Sequence, residues 1–127
     1  MWIFTKTGFY SVVQNKDDPS LVHVRSQFRG DLERLQIGNK IIETPEADYR
    51  FRMDVLQVIW EYALQRMADD IDYTRFKPAL EDKSTNRKEA YLSVFNTMVQ
   101  AGRDEAFAEY KMREAKKDQC FFTKIKL

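Results

Sequence analysis

The sequence predicts an α+β domain: an antiparallel sheet of about four to five strands with helices packed on one face, strands mostly N-terminal and helices C-terminal. Three observations predict it. The chain opens on an aromatic run, MWIFTKTGFYSVV, broken by one Thr7-Gly8 turn. Tyr49, Phe51, Met53 and Val55 alternate with Arg50, Arg52 and Asp54, a period of two that marks a strand with one apolar face. From Leu56 the period lengthens, and Leu56, Ile59, Trp60, Ala63, Leu64, Met67 and Ile71 fall at helical spacing.

Taken in order, Met1 to Lys6 and Phe9 to Gln14 are expected to form a hairpin. A two-residue turn sets Lys6 against Phe9, Phe4 against Ser11 and Trp2 against Val13. One face then holds Trp2, Phe4, Phe9 and Val13, and the other Ile3, Thr5, Tyr10 and Val12. A bulge at Gly8 would exchange the second strand's faces, and the sequence leaves this open. The cluster Asn15 to Ser20 is a turn, and Leu21 to Arg25 a third strand. Asp31 is expected to cap a short helix, Leu32 to Leu35, that Gly38-Asn39 stops. Lys40 to Thr44 is a fourth strand, and Pro45 to Asp48 turns into the strand that begins at Tyr49.

Beyond the Trp60 helix, Tyr73 and Phe76 lie in a connector, and Ser84-Thr85-Asn86 supplies an N-cap, with Glu89 placed as in a capping box. Tyr91, Val94, Phe95 and Met98 stripe a second long helix that Gly102 ends or bends. Residues 1–102 are therefore expected to form one domain. Residues 103–127 make a charged helical extension, with Glu109 spaced to pair with Arg113, and an aromatic segment. In that segment Phe121, Thr123, Ile125 and Leu127 alternate with Phe122, Lys124 and Lys126, as a strand added to an edge would.

Composition narrows the function classes. The 127 residues carry 21 Lys and Arg against 20 Asp and Glu, so the chain is no bulk polycation. Cys120 is the only cysteine, which excludes an intramolecular disulfide and a cysteine-based zinc site and fits a reducing compartment. No apolar run approaches the ~20 residues of a membrane span, and no secretory signal is recognisable. A cytoplasmic protein without cofactor or metal is expected. The four glycines, Gly8, Gly30, Gly38 and Gly102, are scattered and form no phosphate-binding loop.

The candidate binding residues lie in two places. If Val22, Val24, Tyr49, Phe51 and Met53 face the helices, then His23, Arg25, Arg50 and Arg52 share the opposite face, edged by Tyr10. Such a face suits a phosphate backbone or an acidic protein surface, although Glu43, Asp48 and Asp54 are near enough in sequence to neutralise it. The second place is the tail, where Lys116, Lys117, Phe121 and Phe122 combine charge with apolar surface that needs a partner. A solvated face is the ordinary reading of both. His23, the only histidine, has no flanking nucleophile motif, and Cys120 is far from it in sequence. Asp69, Asp70 and Asp72 lack the glycine and distant glutamate of a calcium loop and read as a solvated helix end, Asp72 capping the next turn.

The opening MWIFTKTGFYSVVQ, LVHVRS leading to GDLERL, ETPEADYRFRMDV, and IDYTRFK followed by AYLSVFNTM resemble a family of small uncharacterised proteins found in bacteria and their phages. Thr44, Pro45, Asp48, Tyr49 and Arg52 match one of its motifs, and Asp72, Tyr73, Phe76 and Lys77 another. The likeness covers roughly the first hundred residues, and the tail from Arg103 departs from it. It brings no established activity, and implies only a setting in which small proteins modulate host macromolecules. The first expectation is thus a non-enzymatic protein, in the host cytoplasm if it is phage-encoded, that binds a host or phage protein or its own copy. The alternatives are RNA or single-stranded nucleic-acid binding through the arginine face and tail, and an enzyme using His23.

Overall fold

The computed structural model describes residues 1–80 and 84–125, the last four of these by backbone alone. The protein is α+β, in two compact units, Met1–Asp82 and Lys83–Leu127. The first unit is a five-stranded sheet formed by β1 (Trp2–Phe4), β2 (Phe9–Gln14), β3 (Leu21–Ser26), β4 (Ile42–Glu43) and β5 (Phe51–Leu56). Every neighbouring pair is antiparallel, in the order β1-β2-β3-β5-β4. Two helices, α1 (Arg29–Arg34) and α2 (Gln57–Asp69), share the core of one sheet face.

That core is built from alternate residues of the strands. Tyr10 and Val12, Val22 and Val24, and Met53 and Val55 are buried under Leu32 and Leu35 from α1 and its end and Trp60 and Ala63 from α2. The change of period near Val55 is the β5–α2 junction itself, since α2 starts at the residue after β5 ends. With no side-chain cap at Leu56, the first helical N–H, from Gln57, donates to Ser20 O at 2.9 Å. Helix α1 ends at Arg34, and Gln36 and Gly38 take positive φ of 52° and 75° to turn the chain away.

The first hairpin differs from the expected register. Phe4, not Lys6, pairs with Phe9, so Trp2 faces Ser11, and a four-residue loop, Thr5 to Gly8, replaces the two-residue turn. The slip is two residues, so the expected sharing of faces survives it. The Thr5 side chain holds the loop: its Oγ1 accepts from the amides of Thr7 at 3.2 Å and Gly8 at 3.1 Å.

Asp31 is not the expected helix cap. The cap position is Phe28, and Asp31 lies inside the first turn, fully buried. Its Oδ2 accepts from the Phe9 amide at 3.0 Å, its Oδ1 from Arg34 Nη1 at 3.1 Å, and its carbonyl from the Tyr10 hydroxyl at 3.0 Å. Gly8 closes this cluster, since a Cβ there would lie 2.7 Å from both Asp31 Cγ and the Tyr10 hydroxyl.

The second unit contains α3 (Thr85–Ile125), a helix of 41 residues. Ser84, from the expected capping segment, caps it, its Oγ accepting from the Arg87 amide at 3.4 Å; the expected capping box of Asn86 and Glu89 does not form, because both lie inside the helix and Arg87 takes the third position. Helix α3 passes through Gly102 without ending, so the position expected to separate domain from extension lies inside a helix. Residues 120–125 continue α3 rather than forming a strand, because the helix already satisfies their backbone; Lys126 and Leu127 lie outside the described residues.

Gly8→Ala and Asp31→Ala should each destabilise the protein, the second by about 2–4 kcal/mol, because the Phe9 amide and the Arg34 guanidinium lose a buried acceptor. Tyr10→Phe should cost about 1 kcal/mol. Urea denaturation of the three variants measures this, and an Asp31→Ala midpoint equal to wild type would show the cluster to be incidental.

Candidate functional site: the open face of the sheet

Strand alternation places Trp2, Phe4, Phe9, Ser11, Val13, His23, Arg25, Arg52 and Asp54 on the face opposite α1 and α2. The register arranges them in rows. One row crosses all five strands: Trp2, Ser11, Arg25, Arg52, Ile42. Beside it run Phe4–Phe9 on one side and Val13–His23–Asp54 on the other.

Arg25 and Arg52 are direct cross-strand partners, and like charges in that position repel. Among the described residues neither has a carboxylate within ion-pair distance. What holds them is neutral. Arg25 Nη2 donates to Ser11 Oγ at 2.8 Å, and its guanidinium lies 4.7 Å from the centre of the Tyr49 ring. Arg52 Nη2 donates to Tyr49 O at 3.2 Å. Each guanidinium has about five N–H donors, of which one is used here, and both Nε atoms are buried without an acceptor.

Tyr49 reaches this face by leaving the strand. β5 begins only at Phe51, and the preceding residues bend, with Thr44 N donating to Arg50 O at 2.8 Å and Gln27 Nε2 to Asp48 O at 2.6 Å. Its ring sits 6.3 Å from Phe9, which stacks on Phe4 with centroids 4.4 Å apart at 18°. The result is a band of three rings beside two arginines. Trp2 adds an indole that is 72% exposed.

The sequence-derived residues divide. His23, Arg25 and Arg52 share the face as expected. Tyr10 does not: it is on the core side, 0% exposed, with its ring edge against Trp60. Arg50 precedes the strand and turns to the sheet edge, its Nη2 2.7 Å from Glu43 Oε1, its guanidinium 5.5 Å from the Phe51 ring centre. Tyr49, expected among the core residues, joins the arginines instead. Periodicity carries no signal for that change of side. His23 Nδ1 meets the Asp54 carboxylate and forms no hydrogen bond to a hydroxyl or thiol. Among the described residues no group of three or more potential metal ligands is assembled. In α3, Lys117 pairs with Glu114 at 2.8 Å, Lys116 has no ion-pair partner among the described residues, and Phe121 is 64% exposed; the Phe122 side chain lies outside the described residues.

A second concavity, about 330 Å³, lies between the β1–β2 loop and the end of α2, lined by Ile3, Phe4, Leu64, Met67 and Tyr73 among others. Asp72 borders it and, rather than capping a turn, bonds Lys6 Nζ at 3.0 Å, while Lys6 lies 5.5 Å from the Tyr73 ring centre. The bond lowers the Asp72 carboxyl from its ordinary 3.8 and raises the Lys6 ammonium from its ordinary 10.5. The pair is therefore complete between those values. It is lost as pH falls through the lowered Asp72 value and as it rises through the raised Lys6 value.

NMR titration of Asp72 should show a midpoint below 3.8 that rises in Lys6→Met; an unchanged midpoint in that variant would remove the ion pair from solution. Arg52→Met should leave stability unchanged or raise it by up to about 1 kcal/mol, since it relieves a like-charge pair. A loss above about 1 kcal/mol in urea would show that the arginine is held for stability.

Comparison with known proteins finds no matching family model, no similar curated protein and no similar solved structure.

Proposed function

We propose that the protein is a non-enzymatic binding protein that takes single-stranded nucleic acid on the face of its sheet opposite α1 and α2. The observation that carries this is the Arg25–Arg52 pair: two cross-strand guanidinium groups without a carboxylate, set beside the Phe4, Phe9 and Tyr49 rings. Guanidinium groups suit phosphate oxygens, and half-buried rings on a sheet face with the exposed Trp2 beside them suit unstacked bases, which a duplex does not offer. A net charge of +1 gives little long-range attraction, so affinity has to come from this local set. The lone cysteine fits a reducing compartment, and a bacterial cytoplasm, the host's if the chain is phage-encoded, is part of the proposal.

Protein binding is the second reading. It is favoured by the exposed Phe107, Tyr110 and Met112 of α3, at 59–61% exposure.

Fluorescence anisotropy with labelled single-stranded 12-mers of RNA and DNA tests the first reading. Binding should weaken with salt at a logarithmic slope of about −1.4, two phosphates at ~0.7 each. Arg25→Ala and Arg52→Ala should each reduce that slope by about 0.7, whereas Trp2→Ala should weaken binding and leave the slope unchanged. Absence of binding at low salt, equal affinity for a duplex, or indifference to both arginine variants would overturn it.

A further inference from the structure

Along α3, Tyr91, Phe95, Met98, Gly102, Glu105, Glu109, Met112 and Lys116 recur alternately four and three residues apart. That is heptad spacing, but only Tyr91, Phe95, Met98 and Met112 are apolar there, so what marks the stripe beyond Gly102 is its charge. Its centre is charged, and the charges are ordered. Residues 104–109 contain three acids and no base, and residues 111–117 four bases and one acid.

This order selects both the occupant and its direction. Two copies laid parallel and in register would set Glu105 on Glu105, Glu109 on Glu109 and Lys116 on Lys116, three repulsive layers. Laid antiparallel about the midpoint between Tyr110 and Lys111, each copy's acidic block lies against the other's basic block. Glu105 then meets the second copy's Lys116 twice over, as a two-fold axis requires, and Glu109 lies against Met112 and beside Arg113. We propose that α3 is a dimerisation helix that pairs antiparallel with α3 of a second copy of this chain.

The groups needed are accessible. Glu105 and Lys116 form no ion pair among the described residues. Glu109 reaches Arg113 of its own helix only at 3.8 Å, with both side chains at least 70% exposed, a contact that yields readily to a better one. Met98 and Met112, 66% and 61% exposed, supply the apolar part of the seam. The adjoining acidic block makes the basic block a poor ligand for a polyanion, so this surface is independent of the sheet face.

The test is sedimentation equilibrium of the full chain at about 100 µM with distance measurement between spin labels on the single native cysteine. The wild type is expected to dimerise, with labels at Cys120 about 28 Å apart along the axis at 1.5 Å per residue. Glu105→Lys with Glu109→Lys, and separately Arg113→Glu with Lys116→Glu, should each weaken association at least tenfold, and an equimolar mixture of the two should associate again. Circular dichroism equal to wild type separates lost association from lost folding. A monomeric wild type, labels within about 10 Å, or association unaffected by either variant would overturn the proposal.

Discussion

A buried carboxylate sets the geometry of the first unit. Taking Asp31 out of water is costly, and the cost is offset by donors that include the Phe9 amide, Arg34 Nη1 and, as the long branch of a hydroxyl that also donates to Phe9 O at 2.9 Å, Ser26 Oγ at 3.5 Å. Those donors come from β2, α1 and β3. The cluster therefore does more than fill space, because it fixes which face of the hairpin α1 covers. Arg34 extends the constraint by donating also to Thr7 O at 3.1 Å, so the loop that closes the hairpin is tied to the same helix. Gly8 is needed because nothing larger fits between the hairpin and this carboxylate.

With one face assigned to the helices, the other becomes a surface. Its residues are poorly chosen for stability: two arginines opposed, two guanidinium Nε atoms without acceptors, and a tryptophan in water. Proteins keep such arrangements where a surface has to do something other than support the fold. The cation–π contact of Arg25 with Tyr49 limits the electrostatic strain and holds the guanidinium beside the aromatic band, so the positive charge is positioned without being neutralised. His23 and Asp54, one row away, are the contrasting case, an imidazole and a carboxylate already in contact within the sheet.

Much of this was legible in the residues. Alternation from Phe51 to Val55, and its replacement by helical spacing, gave strand, helix and junction, because a half-buried strand and a half-buried helix impose different rhythms on apolar side chains. The sharing of faces in the first hairpin was also legible, but not its register, since parity survives a two-residue slip that loop hydrogen bonds decide. Which hairpin face the helices cover, and the side taken by Tyr49, were beyond pattern. Tyr10 goes inward with Val12, as alternation requires, and there its hydroxyl donates to the carbonyl of Asp31, 21 residues away. Tyr49 crosses over because bends before Phe51 break the alternation that would have kept it with the core. The tail misled for a related reason: a short stretch of period two, Phe121 to Leu127, is too brief to outweigh a helix already propagating from Thr85.

The absence of any loop between β5 and α2 has a mechanical meaning. A loop absorbs torsion; a shared backbone transmits it. The interior strand that carries Arg52 is thus the stem of a lever whose arm, thirteen residues long, spans about 20 Å. Tilting that stem by roughly 5° swings the far end of the arm by about 1.7 Å. The hollow beside Leu64 and Met67 sits toward that far end, so a tilt of the stem carries to its wall.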